Sequence, residues 1–186
     1  MQQNSIHQAV AAIKDGGVIV YPTESVFGLG CDPDNNRALE RLLEIKHRDP
    51  GKGVLIVCHE FELAEKYVEL SRVSKEDLEY VSSYWPGPFT FIFPSTSFCS
   101  PLLTGNRKTV AIRVSEHPLI ASLCQGLGKP VVSTSANISG ETPCSTCAEA
   151  HQIFDGIADF ILEGETMHYT KPSTIIDLQT RQILRN

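Results

Sequence analysis

The chain has 186 residues, 41% hydrophobic and 20% charged, and carries a net charge of −6. That length suits one well-cored domain spanning residues 1–186, and the composition excludes a disordered or low-complexity chain. The acidic balance argues against a generally basic nucleic-acid binder. No apolar run is long enough to span a membrane and Met1–Ser5 lacks the basic and apolar regions of a secretory signal, so a cytoplasmic protein without a membrane partner is expected.

Ile6, Val10 and Ile13 share one face of a helix over residues 5–15, ended by Gly16-Gly17. Val18–Tyr21 reads as a buried strand stopped by Pro22. Leu39, Leu42, Leu43 and Ile45 form the inward face of a second helix over 35–47. Val54–Cys58 is a strand. Ser74 and Asp77 have the spacing of a capping box, opening a helix that stops before Trp85-Pro-Gly-Pro88. Phe89–Phe93 and Thr109–Val114 are strands. Alternation in the latter sends Val110, Ile112 and Val114 one way and Thr109, Ala111 and Arg113 the other. Pro118 suits the first position of a helix through Gln125, with His117 at its start. Val131-Val132 ends a buried strand. A helix near 146–154, a strand at 158–162 and a hairpin of 173–177 with 182–185 complete the chain. Strands and helices that interleave without strict alternation predict an α/β domain with a mixed, twisted sheet.

Two segments are built to meet a ligand. Ser133-Thr-Ser-Ala-Asn137 follows directly on Val131-Val132, and small polar residues at a strand's mouth present hydroxyls, amides and backbone N–H groups to a polar, anionic ligand. An ordinary strand-to-loop turn has the same composition. In Tyr21–Gly30 a buried strand runs into Thr23, Glu24 and Ser25, and then into glycines that let backbone approach backbone or ligand. A glycine-rich turn is the plain alternative; neither a Rossmann fingerprint nor a Walker A sequence is present. Lys46, Arg48 and Lys52 fall where a helix ends and a strand begins, either capping the helix or gripping a triphosphate. Arg113 sits inside an apolar strand and must meet a carboxylate, from the protein or from a ligand.

The six cysteines are a weaker signal. Cys58 and Cys124 read as small core hydrophobes, and Cys144-Ser-Thr-Cys147 is a lone pair without a second half, so no metal site is expected. None of the six histidines has triad or metal spacing.

Taken together, YPTESVFGLG, Lys46-His-Arg48, WPGPFTF, TVAIRV, STSAN and PSTIID resemble the YrdC/TsaC family of threonylcarbamoyl-AMP synthases, in family order and over nearly the whole chain. The end of the sequence just after Arg185 is similar to the bacterial single-domain type. The resemblance implies a twisted open α/β sheet with flanking helices and a concave cationic cavity. It implies a nucleotidyltransferase that converts L-threonine, bicarbonate or CO2, and ATP into threonylcarbamoyl-AMP and pyrophosphate for tRNA modification. Mg2+ would accompany ATP, and a separate tRNA threonylcarbamoyl-transferase complex would take the product.

The same resemblance implies site roles. Lys46, Arg48 and Arg113 would be catalytic. Arg48, Lys52, Thr109, Ser135, Asn137, Cys144 and Arg185 would hold ATP, Cys144 through its backbone. Thr23, Ser25, Arg113, Ser133 and Ser173 would hold L-threonine. Many relatives carry Thr where this chain has Ser25, which keeps the hydroxyl and alters its packing. A rival expectation is an RNA-binding module that uses the same cationic hollow, with weak tRNA contact.

Overall fold

Among the residues that the computed structural model describes, 2–167 and 169–186, nine strands join in one open, twisted sheet. Met1 and His168, the latter among the histidines read above, lie outside the described residues. The strands are β1 (Ile19–Pro22), β2 (Phe27–Gly30), β3 (Leu55–Cys58), β4 (Phe89–Pro94), β5 (Thr109–Val114), β6 (Val131–Ser135), β7 (Phe160–Ile161), β8 (Thr174–Asp177) and β9 (Ile183–Arg185). Their order is β7-β1-β2-β6-β3-β5-β4-β8-β9. Three pairs are parallel (β1/β7, β3/β5, β4/β8) and the other five antiparallel, so the sheet is mixed as expected.

Six α-helices flank it: α1 (Gln2–Lys14), α2 (Asn36–Ile45), α3 (Lys75–Ser82), α4 (Pro101–Thr104), α5 (Pro118–Leu127) and α6 (Cys147–Phe154). Their starts follow local chemistry. The Asn35 side chain accepts from the N–H groups of Arg37 and Ala38, and reciprocal capping boxes open α3 at Ser74/Asp77 and α6 at Thr146/Glu149. The His117 Nδ1 accepts from Leu119 N–H at 3.2 Å and Pro118 follows at the first helical position. No helix among the described residues is long and apolar enough to cross a membrane.

The sheet differs from the sequence expectation in two places that matter for the site. Phe27–Gly30, read as part of a glycine-rich loop, is a strand inserted between β1 and β6. Its glycines answer to packing: a Cβ on Gly30 would lie 2.5 Å from the Val132 carbonyl oxygen and 2.6 Å from the Tyr21 ring. Ser133, Thr134 and Ser135, expected beyond a strand's end, belong to β6 itself, so pleating fixes their directions. Helix α2 also ends earlier than periodicity suggested, with Lys46 as its C-cap and His47 at φ 50°.

Gly30→Ala is expected to lower unfolding stability by about 1–3 kcal/mol, because the added methyl overpacks a closed site. Urea denaturation measures it, and an unchanged midpoint would show that β2 can shift away from β6.

Candidate functional site

The sheet has two unlike faces, and the register shows why. Val132 lies opposite Ile56, Ile56 opposite Ile112, Ile112 opposite Phe91 and Phe91 opposite Ile176, a row that is buried and wholly apolar. One residue along each strand, the row on the other face is Ser133, Leu55, Ala111, Ile92 and Asp177. The next row on that second face is Arg113, Thr90, Ile175 and Arg185. Cross-strand partners share a face, so the first row seals the core and the other two floor a cavity.

That cavity encloses about 520 Å³, within the range of small-ligand sites. Its walls come from chain positions as distant as Thr23 and Arg185. They carry five cations, Arg48, Lys52, Arg107, Arg113 and Arg185, against one carboxylate, Asp177. The charges lie close enough to act on each other. Burial first, then the Arg107 guanidinium, lowers the pKa of Arg48; burial, then Arg113 and Arg48, lowers that of Arg185. Like charges held together disfavour their own ionised state, and an anion placed among them relieves that cost. A shallower groove of about 640 Å³ adjoins the cavity and shares only Thr104 and Arg107 with it.

Of the residues singled out from sequence, Thr23, Ser25, Ser133 and Ser173 line the cavity, and so do Thr109, Ser135 and the cations Arg48, Lys52, Arg113 and Arg185. Short turns position the cations. Arg48 Nε donates to the Gly53 carbonyl at 3.0 Å, and Arg107 Nη2 donates to the Gly51 carbonyl at 3.0 Å. Gly105 makes this possible, because a Cβ there would sit 2.5 Å from the Gly51 oxygen. At the far wall Arg185 Nη2 donates to the Ser173 carbonyl at 2.8 Å, while the Ser173 hydroxyl shares a hydrogen bond of 2.8 Å with Thr90.

Arg113 meets a protein carboxylate. Its Nη2 is 3.2 Å from Glu24 Oε2, and both side chains are almost fully buried. The pair is close without being aligned: neither Glu24 oxygen accepts a hydrogen bond, and Arg113 Nε donates none. Charge is neutralised while donor capacity on the guanidinium is left for another acceptor.

Three residues of the expected set stand elsewhere. Lys46 does not line the cavity; it is buried behind the β6 loop. Its Nζ reaches the carbonyl of Ser135 at 2.5 Å and that of Asn137 at 3.1 Å, and the Asn137 Oδ1 at 2.7 Å and the Ser135 hydroxyl at 3.2 Å. Burial, and then Arg48, lowers its pKa to about 8, so at neutral pH the ammonium still supplies three donors to these oxygens. Geometrically it is a clamp on the loop; the α2 C-terminus directs it inward instead of toward the cavity. Asn137 completes the clamp, its Nδ2 donating to the carbonyls of Ile138 and Glu141. Cys144 works through its backbone: its N–H donates to Ala136 O at 2.9 Å and its carbonyl accepts from Phe27 N–H at 2.8 Å.

Arg107 and Glu24 were not assigned roles from sequence. Arg107 follows a helix and precedes a strand, the same signal that drew attention to Arg48. Glu24 was visible as the one charge in a turn between the small polar residues Thr23 and Ser25. All six cysteines are free thiols, and no group of three or more His, Cys, Asp or Glu among the described residues is placed to hold a metal.

Comparison with known proteins gives the family of the whole chain. The family named Sua5/YciO/YrdC, described as telomere recombination, matches residues 11–186. The chain belongs to that family. It is 46% identical over 182 residues to a threonylcarbamoyl-AMP synthase of Vibrio vulnificus, covering 98% of each chain. Escherichia coli YciO superposes with a TM-score of 0.86 at 32% identity, covering all of this chain and 90% of that one. Pyrococcus abyssi Sua5 complexed with L-threonine superposes with a TM-score of 0.89 at 28% identity over 96% of this chain. This chain spans about half of that longer Sua5, 52% of its length.

Lys46→Met is expected to cost about 1–3 kcal/mol of stability, since the Ser135 and Asn137 carbonyls lose their shared donor. The loss should appear in chemical denaturation, with raised hydrogen exchange confined to residues 135–141. Full stability in that variant would mean that the loop holds itself.

Proposed function

We propose that this chain is a threonylcarbamoyl-AMP synthase, joining L-threonine, bicarbonate or CO2, and ATP into threonylcarbamoyl-AMP with release of pyrophosphate. The observation that carries the reading is one half-open cavity lined by an ion-paired arginine and four further cations. The whole-length similarity to the Vibrio vulnificus synthase and the fold shared with a Sua5 complexed with L-threonine support it.

The chemistry divides along the cavity. The free donors of Arg113 take the threonine carboxylate, with Thr23, Ser25, Ser133 and Ser173 supplying hydroxyls around the amino acid. The threonine nitrogen adds to the carbon of CO2, losing a proton, to give a carbamate. A carbamate oxygen then attacks the α-phosphorus of ATP; the Pα–O bond to the β-phosphate breaks and pyrophosphate leaves. No side chain need form a covalent intermediate, so positioning and charge stabilisation carry the catalysis.

Arg48, Lys52 and Arg185 meet the nucleotide phosphates, with Thr109, Ser135 and Asn137 on the ATP side and the Cys144 backbone holding their loop. Lys46 serves catalysis by fixing that loop. Mg2+ carried by ATP would neutralise part of the charge on its phosphates. The wall's donor set, hydroxyls and cations with one carboxylate, fits a metal carried by the nucleotide better than one held by the protein. The product passes to a separate transferase acting on tRNA, in the cytoplasm. The RNA-binding alternative gains little from a hollow of small-ligand size.

Purified protein with Mg2+, ATP, L-threonine and bicarbonate should form threonylcarbamoyl-AMP by mass spectrometry, and pyrophosphate release should require both the amino acid and bicarbonate. Absence of that product would sink the assignment. Arg113→Lys keeps a cation beside Glu24 but loses the fork, and should raise the threonine KM by the equivalent of about 1.5–3 kcal/mol with little change for ATP. Lys52→Ala should do the reverse. Equal effects on both substrates in either variant would contradict the division.

A further inference from the structure

Glu24 is unusual among the carboxylates of this chain. Its side chain is 3% exposed, it sits 3.2 Å from the Arg113 guanidinium, and neither of its oxygens accepts a hydrogen bond. A carboxylate kept only to hold an arginine in place is normally bonded to it through aligned N–H donors. Here the guanidinium lines the cavity, its Nε is buried and unpaired, and the carboxylate beside it contributes charge without an aligned hydrogen bond.

The turn that carries Glu24 is fixed from several sides. Thr23 N–H and Thr23 Oγ1 both donate to Val26 O, at 3.1 and 2.7 Å, and the Glu24 carbonyl accepts from Tyr169 N–H at 3.1 Å. His117, another buried group near the pair, is held by burial below its ordinary pKa, with the Glu24 charge pulling it up and Arg113 pulling it down. His117 Nε2 faces the Glu165 carbonyl at 3.0 Å. Tyr21 lies under the fields of both members of the pair, and its hydroxyl donates to Val132 O at 3.1 Å. None of these neighbours brings a second cation to Glu24.

The geometry points to Glu24 as a specificity-determining positioning residue that selects a zwitterionic amino acid over a simple carboxylic acid. This rests on the reading of Arg113 as the carboxylate site. A lone buried guanidinium accepts any carboxylate, and a net anion suits it best. Paired with Glu24, the Arg113 corner is electrically neutral before substrate arrives. A plain carboxylate then leaves one uncompensated negative charge there, whereas an amino acid brings its own ammonium and keeps the corner neutral. The other four cations do not relieve this once a triphosphate occupies them. Glu24 therefore acts through the field around Arg113, and discriminates for the amino group that the reaction consumes.

The experiment compares the binding of L-threonine with that of 3-hydroxybutanoate, its analogue without the amino group, by calorimetry. A non-hydrolysable ATP analogue fills the cationic half throughout. The unmodified protein should favour threonine by roughly tenfold or more, the scale of one charge interaction inside a protein. Glu24→Gln should lower that ratio by a similar factor, through weaker threonine binding and tighter 3-hydroxybutanoate binding. Glu24→Asp, which keeps the charge, should retain most of it. Equal affinities in the unmodified protein overturn the proposal without any variant, so a failure of Glu24→Gln to fold does not shelter it. An unchanged ratio in folded Glu24→Gln overturns it as well. If instead Arg113→Lys leaves both acids bound as before, the fault lies in the carboxylate site and not in Glu24.

Discussion

A guanidinium in the middle of a sheet is the constraint around which this site is organised. Arg113 lies on β5, between β3 and β4, on a strand whose alternate residues are core. Unpaired, such a charge costs on the order of several kcal/mol, and domains of this size have little stability to spare. Glu24 offsets part of the cost from a distant place in the chain, the turn joining β1 to β2. That turn belongs to the other half of the sheet, so the ion pair reaches past β6 and β3 to hold the cavity's two walls together. One ion pair thus both relieves a buried charge and sets the field at the cavity wall.

Lys46 plays a comparable part at the β6 loop. A helix ends, the chain turns through the left-handed His47, and the ammonium left at the C-cap collects oxygens from residues 135 and 137. The helix dipole favours a cation at that place in any case, and here the cation also satisfies two backbone carbonyls. The edges of β6 are thus fixed from behind by Lys46 and from the side by the Phe27–Cys144 and Ala136–Cys144 backbone bonds. A loop held this rigidly loses little entropy when a ligand arrives.

How far the sequence disclosed this varied with the range of the interaction. The alternation in Thr109–Val114 gave both the core face and the cavity face of β5, because a strand's period of two is a local property. The capping box read at Ser74 was equally local; the one at Thr146, no less local, was not singled out. The demand that Arg113 meet a carboxylate followed from burial alone, while the choice of Glu24 depended on pairing between distant strands. Strand β2 escaped notice since glycines carry no hydrophobic period; what they encode is the closeness of Val132 and Tyr21, visible only once β6 is beside them. Lys46 looked like a phosphate ligand by spacing from Arg48, but the left-handed His47 between them rotates the chain out of helical register at the end of α2. That rotation separates the clamp from the cavity wall.

The distribution of charge also decides what kind of anion the protein can hold. The chain as a whole is at −6, yet five of its 16 basic side chains line one hollow. A long polyanion would have to lie across the acidic exterior as well as the cationic interior, and would gain from only a few contacts. A compact triphosphate can place all of its charge inside, where low dielectric surroundings strengthen each contact and solvent ions screen it least. The surrounding negative field then discourages nonspecific binding while the cavity draws in small anions. Local concentration of charge against an opposed background favours a nucleotide over a nucleic acid, and it does so before any base or sugar is recognised.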